Sequence, residues 1–185
     1  MNEIIQRAAF HEAGHVVALL SLNIPFDSVF VYSPTCPVSS HLGGVLGIDE
    51  THSADKRHLI ITSFAGPIAE ALLYDGDPDL TFTDSSREDR ADIARYAAEL
   101  DLSSEMLGEL HDFAYQLVKN RYCEIWDTAA ALLSVKGNYL SYERIKPTIA
   151  SFLRRRATRI RPRHYRTWSA VRFGRLYPAA PRNYP

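Results

Sequence analysis

Apolar residues recur at helical spacing near the start of the chain. The repeating positions are Ile4, Ile5, Ala8, Ala9, Val16, Leu19 and Leu20. This three-to-four-residue period is typical of an amphipathic helix. Asn2 can cap the start of such a helix, and Pro25 follows its end. We therefore predict a first helix over residues 2–22.

Two short stretches after this helix have the composition of β-strands. Residues 27–33, DSVFVYS, are rich in valine and aromatic residues, which favour extended structure. Residues 41–48, HLGGVLGI, form a second extended candidate that is interrupted by Gly43 and Gly44. The two stretches are expected to pair as a small sheet.

Helical patterns dominate the rest of the chain. Helices are predicted for residues 54–74, 87–100, most of 104–137, and 140–156. Pro67 lies inside the first of these, so a kink or a local adjustment is expected there. Ser85 or Ser86 can cap the second, and Ser141 the last. Residues 75–86 have the composition of a loop. The predicted fold class is mostly α with a small β element.

Charge divides the chain into two parts. Residues 1–150 contain all 22 acidic residues and 11 of the 21 basic ones, so they carry −11, whereas residues 151–185 contain 10 arginines and no acid. We predict one globular domain over residues 1–153 and a basic tail over 154–185. The tail can bind nucleic acid or an acidic protein surface, or simply be a flexible, solubilising segment. No sequence pattern of a nucleic-acid-binding fold accompanies it.

Cysteine content and hydropathy bear on the compartment. Cys36 and Cys123, the two cysteines, lie in unrelated contexts, which is typical of free thiols in a reducing environment. No stretch reaches the roughly 18 apolar residues of a membrane span, and the polar N-terminus does not resemble a signal peptide. The sequence therefore predicts a cytoplasmic protein without a membrane span.

The strongest chemical signal is HEAGH at residues 11–15. His11 and His15 are four residues apart, so on a helix they share one face and can bind one metal ion. Glu12 would lie beside that metal, where its carboxylate can take a proton from water and pass it to a leaving amine. The alternative is two histidines that merely share a helix face. Gly14 costs about 1 kcal/mol in a helix interior, which indicates close approach by another element.

A catalytic zinc ion needs a third protein ligand. The candidates in the sequence are His41, His52, His58, Glu70, Asp84, Glu88, Asp89 and Asp92. The residues alone do not choose among them, because acidic residues at the start of a helix also interact favourably with its dipole.

Three segments in order, HEAGH, FAGPIAEALLY and SSREDRADIARYAAEL, resemble the peptidase domain of FtsH-type zinc metalloproteases. That family has HEAGH on one helix, a G-G-x-x-A-E helix, and a loop leading into an N-D-x-x-x-A-x-x-x-A helix whose aspartate is the third zinc ligand. The resemblance implies that Asp89 joins His11 and His15 as a ligand of Zn²⁺. It also implies that Glu12 is the catalytic base and that Glu70 supports a ligand histidine or is structural.

The segment SSRED departs from the family's Gly-Ala-x-Asn-Asp loop. Asp84, Glu88 and Asp92 therefore stay open as alternatives to Asp89. The resemblance covers about residues 5–150 and implies a zincin-like helical peptidase fold. In the family, a strand near the site pairs with the substrate backbone, so residues 29–33 or 41–48 are expected to accept a peptide strand.

FtsH proteins also carry transmembrane segments and an ATPase module, but this chain has no G-x-x-x-x-G-K-[ST] motif. The resemblance thus implies a stand-alone metalloendopeptidase that cleaves flexible or unfolded polypeptides, alone or with a separate unfoldase. Two alternatives are open. The domain can be a zinc-binding module with little catalysis and a regulatory role, or a different HExxH enzyme that cleaves a regulator. The number of subunits is open as well.

Overall fold

The computed structural model describes residues 3–31, 42–49, 55–73, 86–135, 139–145 and 147. The chain divides into two units, Met1–Phe152 and Leu153–Pro185. The second unit lies outside the described residues, so the predicted basic tail and its boundary stay predictions. Cys123 is an exposed free thiol, and Cys36 also lies outside the described residues.

The described residues form five helices and a three-stranded sheet. The helices are α1 (Glu3–Ser21), α2 (Arg57–Leu73), α3 (Arg87–Glu99), α4 (Ser104–Asn120) and α5 (Tyr122–Ser134). The strands are β1 (Ser28–Val31), β2 (Gly43–Leu46) and β3 (Tyr139–Ser141). The predicted class, mostly α with a small β element, is confirmed. None of the described helices combines the length and the apolar character that crossing a bilayer requires.

Helix α1 is the centre of the core. Helices α2, α4 and α5 and strands β1 and β2 all pack against it, and every residue from Ala8 to Leu19 is buried. Burying each of its large aliphatic side chains, such as Val16 and Leu19, contributes about 1.5–3 kcal/mol. Helix α2 is mostly apolar, without a separate polar face, and is buried from Leu59 to Ala71, as expected for a helix enclosed by others.

Gly14 marks the closest approach of α1 and α2. A Cβ atom at this position would lie 2.5 Å from the carbonyl oxygen of Ala65 and 2.8 Å from the Cβ atom of Ala69. The backbones can approach this closely only because glycine has no side chain. The close approach predicted from the sequence is therefore confirmed.

The sheet is antiparallel, with strand order β2-β1-β3. Pairing between residues 27–33 and 41–48 was predicted, and the register, with Val29 opposite Val45, confirms it. Strand β3 was not predicted: a helix was expected over residues 140–156, but Tyr139–Ser141 pair with β1. The described residues that follow, 142–145 and 147, are helical as predicted, and the rest of that range lies outside the described residues. A three-residue strand is too short to produce a hydrophobic period, so pairing with β1 determines it.

Three smaller features concern the division, continuity and capping of the predicted helices. The segment 104–137 is divided at Arg121 into α4 and α5. Helix α2 continues through Pro67. Ser86 is the N-cap residue of α3, but its hydroxyl makes no capping hydrogen bond, whereas Ser103 caps α4 by accepting from the backbone N–H of Met106. Asn2 and Ser85 lie outside the described residues.

Candidate metal centre

Three polar residues of the HEAGH segment lie inside the core. His11, Glu12 and His15 are 6%, 7% and 9% exposed. His11 and His15 are four residues apart on α1, which brings their imidazoles together, with ring centroids 4.8 Å apart and an interplanar angle of 76°. Buried polar groups need partners, and α2 and α3 supply them to the two histidines.

Asp89, in the first turn of α3, contacts both imidazoles. Its Oδ2 lies 3.0 Å from Nε2 of His11, and its Oδ1 lies 3.2 Å from Nε2 of His15. One ligand atom from each of the three residues lies within 4.8 Å of the others. Within the described part of the chain, these three form the cluster that could hold a metal ion.

The donor types of the cluster suit a zinc ion. Zinc binds imidazole nitrogen and carboxylate oxygen at about 2.0–2.2 Å, so tetrahedral ligand atoms are about 3.3–3.5 Å apart. The two Nε2–carboxylate distances, 3.0 and 3.2 Å, involve different oxygens of Asp89, and the three ligand atoms of the cluster lie within 4.8 Å of one another. Two histidines and one carboxylate also suit ferrous iron, so the donor set does not select zinc.

Helix α2 orients both imidazoles through hydrogen bonds to their Nδ1 atoms. Nδ1 of His15 donates to the backbone carbonyl of Thr62 at 2.8 Å, and Nδ1 of His11 donates to Oε2 of Glu70 at 3.2 Å. These bonds place the proton of each neutral ring on Nδ1 and leave the Nε2 lone pair for a metal. Glu70 thus contacts a histidine and lies outside the cluster, in the place where the resemblance implies a supporting residue.

The helical face of α3 explains why Asp89 enters the cluster and its neighbours do not. Asp89 shares a face with Ile93 and Ala97, which are buried. Glu88 is exposed, and the half-exposed Asp92 pairs with Arg95. A further candidate, His58 near the start of α2, is not part of the cluster. His41, His52 and Asp84 lie outside the described residues.

Two glycines make room for the polar groups. A Cβ atom at Gly66 on α2 would lie 2.5 Å from Cε1 of His15, closer still to its Nε2, and 2.9 Å from Nε2 of His11. A Cβ atom at Gly43 on β2 would lie 2.7 Å from Cγ of Glu12 and 2.8 Å from its Oε1. Gly66 was missed from the sequence, although a glycine within a helical pattern and before a proline was an available signal.

Burial and mutual charge shift the pKa values of the cluster. Burial lowers the pKa of His11, but hydrogen bonds with Asp89 and Glu70 outweigh it and raise the pKa to about 10. Burial likewise lowers the pKa of His15, and Asp89 reverses the shift. Burial raises the pKa of Asp89, but the two histidines hold it below its usual range. Without metal, Asp89 therefore stabilises the protonated form of both histidines, and a metal ion must compete with those protons.

Glu12 differs from Asp89 in the direction of its shift. Burial raises the pKa of Glu12, and the charges of His11 and His15 only partly oppose this. A carboxylate whose pKa is raised toward neutrality can both accept and return a proton.

Comparison with models of known protein families gives no match to this chain, and comparison with curated proteins gives none either. The FtsH-type resemblance and the zincin-like fold type therefore stay predictions that rest on the three motifs. The cluster of His11, His15 and Asp89 does not depend on the resemblance, because the geometry of the described residues alone makes it a candidate metal centre.

Proposed function

We propose that the protein is a zinc-dependent metalloendopeptidase that hydrolyses peptide bonds in flexible or unfolded polypeptides. The observation that carries the proposal is the position of Glu12, which is buried beside the two-histidine, one-aspartate cluster and against strand β2. A metal-binding cluster with an adjacent carboxylate of raised pKa is the arrangement that peptide hydrolysis by water requires.

His11, His15 and Asp89 would hold the zinc ion, which lowers the pKa of a water molecule and polarises the carbonyl group under attack. Glu12 removes a proton from the attacking water. It then delivers that proton to the amine nitrogen as the C–N bond breaks, so Glu12 leaves the reaction in its starting state. Burial excludes bulk water from this carboxylate and raises its pKa, which favours the return of the proton.

The sheet supports a position for the substrate. Strand β1 is paired on both sides, by β2 and β3, so residues 29–31 cannot accept a peptide strand, and this part of the earlier expectation is wrong. Strand β2 lies at the edge of the described sheet and runs past Glu12 at Gly43. A peptide added to this edge would hydrogen-bond through its main chain, which requires an extended and therefore locally unfolded substrate.

Two measurements on the full-length chain test the proposal. Elemental analysis of purified protein should give about one zinc ion per chain, lost or weakened in Asp89→Ala. Cleavage of a labelled unfolded protein such as casein should be abolished in Glu12→Gln, which retains zinc, and unchanged in Glu105→Gln, an exposed glutamate on α4.

The outcomes separate the alternatives. Undiminished cleavage by zinc-loaded Glu12→Gln would refute the mechanism. Zinc bound by the wild-type chain without any turnover would favour a binding or regulatory module instead. Iron in place of zinc would move the protein to a different class of metal chemistry.

A further inference from the structure

Arg7 lies one helical turn before His11 on α1, and both contact the same carboxylate. Nε of Arg7 donates to Oε1 of Glu70 at 2.8 Å, and its Nη2 lies 2.6 Å from the same oxygen. The other oxygen of Glu70, Oε2, accepts from Nδ1 of His11. Residues four apart share a helix face, so one face of α1 holds both oxygens of a side chain from α2.

Glu70 needs both contacts because it is buried. Its side chain is 4% exposed, whereas that of Arg7 is 40% exposed, so Arg7 reaches from solvent to a carboxylate inside the core. A buried carboxylate without hydrogen bonds is strongly unfavourable. The last torsion of a glutamate side chain also has only a broad preference, so the single bond to His11 would leave the carboxylate free to turn. The two donors of Arg7 remove that freedom.

We infer that Arg7 is a positioning residue for the metal centre: it fixes the Glu70 carboxylate, which in turn directs Nε2 of His11 toward Asp89 and the metal. The inference rests on the proposed zinc site. The contacts form one series, from Arg7 to Glu70 to His11 to Asp89, across α1, α2 and α3. Metal affinity then depends on a side chain that touches neither the metal nor the substrate.

The test is zinc affinity, measured by competition with a chromophoric chelator at fixed pH. Arg7→Met keeps most of the length of the side chain and removes its donors, and we expect it to bind zinc about 10-fold more weakly, as is common when an outer partner of a ligand is lost. The absorption bands of the cobalt-loaded protein should also shift, because the ligand field reports the orientation of the imidazole. Arg7→Lys, which restores one charged donor, should recover most of the affinity.

A matched control separates positioning from general stability. Arg121 also pairs with a buried carboxylate, that of Glu124, at the junction of α4 and α5. Arg121→Met should lower stability without changing zinc affinity. Equal losses of affinity in Arg7→Met and Arg121→Met would overturn the inference, because both would then be effects of a loosened fold.

A double variant tests whether Arg7 acts through Glu70. Glu70→Gln should weaken zinc binding by itself, and adding Arg7→Met should cost little more, because coupled residues are not additive. Fully additive losses would contradict the inference. If Arg7→Met does not fold, Arg7→Gln replaces it, with the same weaker binding expected.

The role of Arg7 and the proposed activity can be tested separately. Wild-type affinity and an unchanged cobalt spectrum in Arg7→Met, with an active wild-type enzyme, would overturn the role of Arg7 alone. A wild-type chain that binds no zinc would overturn both.

Discussion

Replacing Gly66 with alanine would place a methyl group against the metal-facing edges of both imidazoles. The new Cβ atom would lie 2.5 Å from Cε1 of His15, whereas ordinary contact begins at 3.4 Å. The ring would therefore have to move by at least about 0.9 Å. Metal-ligand distances in a working site are held to about 0.2 Å, so the displacement is several times what the site tolerates.

The same substitution should leave the metal-free fold largely intact. The clashing atoms are the far ends of two side chains, which can swing away, and not backbone. Alanine also favours a helix interior over glycine by about 1 kcal/mol, which offsets part of the overpacking cost of about 1–3 kcal/mol. We therefore expect loss of zinc binding, by at least about 100-fold, in a chain that still unfolds cooperatively.

Isothermal titration with zinc, together with urea unfolding of the metal-free protein, measures the two effects separately. Gly108→Ala on α4 is the matched control, because a Cβ atom there has no neighbour within 4 Å. It should keep wild-type zinc affinity and gain up to about 1 kcal/mol of stability. Wild-type zinc affinity in Gly66→Ala would refute the reasoning.

Three further predictions follow from the same contacts. Gly14→Ala should lower the free energy of unfolding by about 1–3 kcal/mol in urea titrations, since its Cβ atom would meet the backbone of α2; an unchanged midpoint would contradict the α1–α2 packing. Gly43→Ala should retain zinc but lose most peptide cleavage, because its Cβ atom would displace Glu12, and normal turnover would count against that position for Glu12. In the metal-free protein, the raised pKa of His11 gives stability that is complete below its ordinary value of 6.5 and lost as the pH rises through about 10. The lowered pKa of Asp89 gives stability that is lost as the pH falls below 3.8. Both contributions are present at pH 6, but that of His11 is being lost at pH 10, so the urea midpoint of the metal-free protein should be higher at pH 6 than at pH 10. A midpoint that is higher at pH 10 would refute this linkage.

Local patterns were sufficient for part of the molecule. The period of apolar residues predicts α1, and the four-residue spacing within that helix predicts that His11 and His15 meet. The strand pairing of residues 27–33 with 41–48 also follows from composition. These features depend on neighbours in sequence, which is why the sequence contains them.

Other features depend on contacts between distant segments. Only the family resemblance favoured Asp89 over Asp84, Glu88 and Asp92, and Asp84 lies outside the described residues. The burial of one face of α3 separates Asp89 from Glu88 and Asp92. The role of Gly66 exists only because α2 packs across α1 at the imidazoles. Strand β3 exists through its pairing with β1, and its three residues carry no period that would predict it.

The location of Asp89 has a consequence for how the molecule holds together. Helix α3 packs against α2, and its buried side chains are Ile93, Tyr96 and Ala97. Few side chains hold α3 in place, and a bound ion would add a link between Asp89 on α3 and His15 on α1. Ligand binding to the folded state alone stabilises it, and here the gain would fall chiefly on one helix. Backbone amide exchange in α3 should slow more than elsewhere when zinc is added. The ion would then stabilise the position of α3 in addition to the catalytic role proposed for it.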